Sequence, residues 1–160
     1  KGTIYDYFES KEGAISKAIL FNISKEMEAS INRIKLGRSF QDKFYETLNI
    51  IEENMENNLS IYNTLFTSRG MDEFYEYLID EKDYLKQCML TIETMIDYML
   101  DIGYKEGIIK TSENRYYQRM ALRSSIGSFS LYLSHRKMYK DISIDEAKEV
   151  AYKLLIKALS

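Results

Sequence analysis

Proline and tryptophan are absent from this chain of 160 residues, and glycine occurs only seven times. A β-sandwich or barrel turns every few residues, and turns draw on proline and glycine. Their scarcity argues for long helices instead. Cys88 is the only cysteine, which excludes an intrachain disulfide and suits a reducing cytoplasm. His135 is the only histidine, so one chain cannot assemble a His/Cys metal cluster. A Ser-His-Asp triad would have to use His135, and nothing around it resembles a nucleophile turn. No apolar run approaches the roughly 20 residues of a membrane span. The opening Lys1-Gly2-Thr3 and the alternation of polar and aromatic residues after it do not resemble a signal peptide. The expectations are therefore no catalytic residues, no metal, no cofactor, no membrane contact and a cytoplasmic location.

What is present fits an ordinary globular protein: 45% hydrophobic and 29% charged residues, with a net charge of −3. The charge is uneven. Lys1 to Leu36 hold six Lys/Arg against five Asp/Glu, a net of +1. The remainder holds 16 against 20, a net of −4. A surface that meets nucleic acid is normally basic, so any DNA contact is expected from the N-terminal end.

Helical periodicity runs through the chain. Ile15, Ile19, Ile23, Met27, Ile31 and Ile34 predict one helix from about Lys11 to Leu36, N-capped by Ser10 and ended by Gly37. Ser39 with Asp42 opens a second helix, carried by Phe40, Phe44, Leu48, Ile51 and Met55 and ending near Asn57-Asn58. A third stretch starts near Ser60 and breaks at Arg69-Gly70. A fourth helix is expected from Lys82 to Ile102, stopping at Gly103. A fifth runs from about Ser112 to Met138. The last opens on a capping box, Ser143 to Glu146. The fold class is all-α, with six or so helices in one domain.

The most specific stretch is KGTIYDYFESKEGAISKAIL, residues 1–20. Gly2, Thr3, Ile4, Tyr5, Tyr7 and Phe8, then Ser10, Lys11 and Glu12, resemble the end of the DNA-binding head of the TetR/AcrR-like transcriptional regulators. There a recognition helix and a short turn lead into the next helix. The resemblance implies a TetR-like fold in which residues 1–10 are the end of a helix-turn-helix and residues 11–160 form the effector-binding and dimerisation domain. It implies that the first helices of the head lie before Lys1, and that specific DNA binding needs them. It assigns Gly2, Thr3, Tyr5 and Tyr7 to the operator and Lys11 to a phosphate at a helix N-terminus.

Fourteen tyrosines, eight methionines and seven phenylalanines suit a pocket for a small apolar or aromatic effector. Tyr62, Phe66, Met89, Tyr116, Met120 and Arg123 are the candidate ligand-binding residues. An inward Arg119 or Arg123 would favour an anionic effector, and an exposed salt bridge is the plainer alternative. Ser124, Gly127, Ser128 and Leu131 of the fifth helix, with Ala151, Leu154, Leu155 and Ala158 of the last, form small or apolar stripes. By the same resemblance they are expected at a homodimer interface. The function expected is ligand-responsive transcriptional regulation, a repressor by analogy, through a shift of population between two states. A helical dimeric adaptor without DNA binding is the rival. An enzyme is a third reading, resting on the acidic runs at Glu52-Glu53-Glu56 and Asp72-Glu73-Glu76. A di-iron site would need Glu-x-x-His pairs, and those runs read better as solvated helix faces.

Overall fold

The computed structural model describes residues 25–57, 82–110 and 114–160, and their regular structure is entirely helical. The elements are α1 (residues 25–36), α2 (Phe40–Asn57), α3 (Lys82–Lys105), α4 (Arg115–Ser134), a 3₁₀ turn (Arg136–Met138) and α5 (Ile144–Leu159). The chain divides into two compact units, Lys1–Ala29 with Asn58–Ile92, and Ser30–Asn57 with Glu93–Ser160. In the first, the described residues 25–29 and 82–92 are helical. The second holds every site discussed below.

Local chemistry starts the helices of the second unit where the sequence places them. The Ser39 hydroxyl accepts the Asp42 N–H at 3.0 Å, and the Asp42 carboxylate accepts the Ser39 N–H at 3.2 Å, a reciprocal cap ahead of α2. Ser143 and Glu146 form the same box at α5. Its backbone and side-chain donors at Ser143 hold the Glu146 carboxyl below its ordinary pKa. Asn114 caps α4 by accepting the Tyr117 N–H at 3.0 Å.

The core forms where the apolar stripes meet. Phe40, Phe44 and Leu48 of α2, spaced by four, are fully buried. Met99 and Leu100 of α3, Leu122 and Phe129 of α4, and Ala151, Leu155 and Leu159 of α5 close over them. Aromatic rings pack at one side, with Phe44 and Tyr45 each within 6 Å of the Tyr152 ring. Burial pushes the phenol pKa values of Tyr45 and Tyr152 up.

Two boundaries differ from the sequence reading. α3 continues through Gly103 to Lys105. Gly103 is buried, and a Cβ there would come within 2.8 Å of Ile109 and 3.1 Å of Phe40. Its role is close packing, and the turn instead uses Gly107, at φ 71°. The fifth predicted helix starts at Arg115 and stops at Ser134. His135 then bonds back to Leu131 and the chain tightens into a 3₁₀ turn.

The turn after α3 ties three helix ends together. The Glu106 carboxylate accepts the first N–H of α2, at Phe40, at 3.0 and 3.1 Å. The Lys110 N–H reaches the Leu159 carbonyl of α5 at 2.8 Å. From within α2, the buried Lys43 ammonium donates to the carbonyls of Lys35 at 3.0 Å and Gly37 at 2.5 Å, closing the C-terminal end of α1.

Candidate functional site

α4 sets three side-chain stripes in three directions. Gln118, Leu122, Ser125, Phe129 and Tyr132 are buried in the core. Arg115, Arg119 and Arg123 recur every four residues and meet Glu93, Asp97 and Asp101, which recur every four residues on α3. Arg115 pairs with Asp97 at 2.9 Å and Asp101 at 2.5 Å, and Arg119 pairs with Asp97 at 2.5 Å. Arg123 pairs with Glu93. The hydrogen bond from Arg119, reinforced by the charges of both arginines, holds the Asp97 carboxyl below its usual range.

This ladder yields a pH prediction. A carboxyl depressed in the folded state contributes stability that is complete above its unfolded pKa of about 3.9 and is lost as pH falls through the folded value. Thermal melts from neutral to strongly acidic pH should show Asp97→Asn less stable than wild type at neutral pH, with the gap narrowing in acid. A gap independent of pH would remove Asp97 from the ladder.

The third stripe of α4 carries no charge. Tyr117, Met120, Ser124, Gly127, Ser128 and Leu131 lie along it, all exposed. Leu131 is 57% exposed, and a Cβ on Gly127 would meet nothing within 4 Å. α5 runs antiparallel beside α4: the Tyr132 hydroxyl donates to Ile142 at 2.7 Å at one end, and the Tyr117 hydroxyl to Ala158 at 3.4 Å at the other. Val150 and Leu154 of α5, 53% and 49% exposed, continue the uncharged surface. Between the helices lies an open groove of about 190 Å³ walled by Leu131, Tyr132, Tyr139, Ile142, Val150 and Leu154. The result is an apolar face two helices wide, and α5 also exposes the Glu149–Lys153 ion pair to solvent.

Beneath this face sits a buried cation. Lys148 of α5 donates to Asn49 at 2.7 Å, pairs with Glu52 at 2.6 Å and lies 5.9 Å from the Phe129 ring centre. Asn49 donates to Glu46 at 3.3 Å, and Glu46 and Glu53 hold Arg33 of α1 at 2.8 and 2.6 Å. The hydrogen bond from Arg33 lowers the pKa of the Glu53 carboxyl.

The residues singled out from sequence fall as follows. Gly2, Thr3, Tyr5, Tyr7, Lys11, Tyr62 and Phe66 lie outside the described residues, as does the side chain of Met89. Tyr116 and Met120 are exposed on α4, while Arg123 is engaged with Glu93. Of the stripe residues, Ser124, Gly127, Ser128, Leu131 and Leu154 are exposed and Ala158 is half-buried, whereas Ala151 and Leu155 face the chain's own core. Sequence reading missed Lys43, Glu106 and Lys148. The fourfold spacing of acids on α3 against arginines on α4 was the available signal for the ladder.

Among the described residues no helix is long and apolar enough to cross a membrane, and no cluster of His, Cys, Asp and Glu is placed to hold a metal ion. Comparison with family models, with curated proteins and with solved structures gives no match.

Proposed function

We propose that this chain is the effector-binding and dimerisation body of a TetR-like, ligand-responsive transcriptional regulator that acts as a homodimer in the cytoplasm. Residues 1–12 supply the resemblance to a recognition helix and the start of the next helix. The observation that carries the reading is the uncharged face of α4 and α5: Leu131, Val150 and Leu154 are about half exposed around a groove. An apolar face of this kind marks an interaction site. A two-fold dimer suits it, because one surface then covers both copies.

In this reading the operator is read in the major groove by Thr3, Tyr5 and Tyr7, with Lys11 on a phosphate. A small apolar or aromatic effector would favour a state in which the helix ending at Leu36 changes direction and respaces the two recognition helices. Lys43 and the Arg33–Glu46–Glu53 cluster hold the end of that helix to α2.

Selection of random duplex DNA by the protein expressed from its gene tests the reading. It should enrich a palindrome whose half-sites lie about one helical turn apart or a multiple of it, with binding that weakens steeply as salt rises. No enriched sequence, from a protein that is dimeric in solution, would favour the adaptor reading and overturn this one.

A further inference from the structure

We infer that α2 couples α1 to α5 through one hydrogen-bonded relay, Arg33–Glu46–Asn49–Lys148, so that a disturbance of Lys148 beneath the open face of α4 and α5 is felt at the end of α1. The relay stands on contacts within the single chain. What it would carry, from a covered groove to a DNA-reading head, rests on the reading above.

The spacing of α2 builds the relay. At 3.6 residues per turn, Glu46 and Glu53 leave the helix in nearly the same direction, Glu52 leaves it about 120° further round, and Asn49 falls midway. Glu46 and Glu53 meet Arg33 of α1 at 2.8 and 2.6 Å, and Glu52 meets Lys148 of α5 at 2.6 Å. Asn49 joins these two sets of ion pairs. Its carbonyl accepts from Lys148 at 2.7 Å, and its amide donates to Glu46 at 3.3 Å. An amide presents an acceptor and a donor side by side, so one residue answers a cation and a carboxylate at once. Asparagine is a weak helix former, so helix formation does not select it at this position.

Each end of the relay reaches an element that matters. Lys148 lies 5.9 Å from the centre of the Phe129 ring, which stacks on Tyr132 at 6.2 Å. Tyr132 and Ala147, the neighbour of Lys148, both wall the groove. Lys148 is buried, so water cannot answer its charge, and a shift of the ammonium falls on Asn49 and Glu52. At the other end, Arg33 lies three residues before the last residue of α1. The Glu53 carboxyl feels both ends. The hydrogen bond from Arg33 lowers its pKa most, and the charge of Lys148 acts in the same direction.

A box of variants tests the relay. Urea titrations at one protein concentration give the unfolding constants of wild type, Arg33→Met, Lys148→Met and the double variant, with Asn49 and again in an Asn49→Leu background. Residues that share no partner multiply their effects to within about twofold. With Asn49 present, the double variant should depart from the product of the single effects by more than about twofold. Asn49→Leu leaves Arg33 with Glu46 and Glu53, and Lys148 with Glu52, and removes only the link. There the departure should vanish. Arg33→Met with Lys153→Met should simply multiply, because Lys153 is a charged residue of α5 paired with Glu149 outside the relay. Should the triple variant fail to fold, hydrogen exchange at the Arg33 Nε–H decides. Its rate should change between wild type and Lys148→Met. No departure with Asn49 present, an equal departure without it or with Lys153→Met, or an unmoved Arg33 exchange rate overturns the relay. A chain that sediments as a monomer removes the homodimer of the proposed function and leaves these ratios, and the relay, to be read as before.

Discussion

Replacing Phe44 with alanine should lower the unfolding free energy by about 3–5 kcal/mol, the range for deleting a buried phenylalanine. Phe44 is fully buried at the middle of the α2 stripe, between Phe40 and Leu48, and its ring lies 5.7 Å from that of Tyr152. The loss combines the transfer of a large ring to water with a cavity that α2, anchored at its first turn by Glu106 and through Lys43 to the end of α1, cannot close. A domain of this size holds about 5–15 kcal/mol in total, so the variant should be partly unfolded well below the wild-type transition. Phe44→Leu should cost less than half as much, because volume is largely kept. Urea titration followed by circular dichroism reads both. A loss below about 1 kcal/mol for the alanine variant would mean that α2 is not the centre of this core.

Lys148→Met should cost about 2–3 kcal/mol, although methionine is the more apolar residue. The Lys148 side chain is only 10% exposed, and its charge answers Glu52 at 2.6 Å and the Asn49 carbonyl at 2.7 Å. Breaking a buried pair by removing one partner strands the other, at about 3–5 kcal/mol. Glu52 keeps 20% exposure, so water recovers part of that. If stranding is the cause, removing the stranded charge must help. Lys148→Met with Glu52→Gln should regain at least half of the loss, whereas two unrelated lesions would add. Additivity in that cycle would refute the pairing as the origin of the effect.

These residues also mark what the sequence discloses. Capping chemistry is local, so Ser39 with Asp42 and Ser143 with Glu146 announce α2 and α5 directly. The fourfold repeat of Phe40, Phe44 and Leu48 identifies a core face for the same reason: a helix has one period, and burial follows it. Gly103 reads locally as a stop and sits inside α3, because what selects it is the approach of Ile109 and Phe40 from elsewhere in the chain. Lys43 and Lys148 read as surface residues and are buried, one on the carbonyls that end α1 and the other on Glu52. No local pattern announces a partner that lies 99 residues away, as Asn49 does from Lys148.

The candidate site shows the same limit more sharply. α5 carries two adjoining apolar stripes, and periodicity alone does not say which one faces its own chain. The structure turns Ala151 and Leu155 inward and leaves Val150 and Leu154 open. On α4 the arginines spaced by four were legible as a stripe, yet their direction depends on where α3 lies. Arg119 and Arg123 meet Glu93 and Asp97 there, so their charge is already answered within the chain.

Sedimentation of the wild-type chain and of Leu131→Glu/Leu154→Glu at micromolar concentration tests the open face of α4 and α5 most directly. Both leucines are about half exposed in the single chain, so the substitutions should leave its helicity and melting largely unchanged. At a self-packed interface the same substitutions bury four unpaired carboxylates per dimer, and each costs several kcal/mol. The account predicts a wild-type dimer and a folded, monomeric variant. A wild-type monomer, or a variant that dimerises as tightly as wild type, would contradict it.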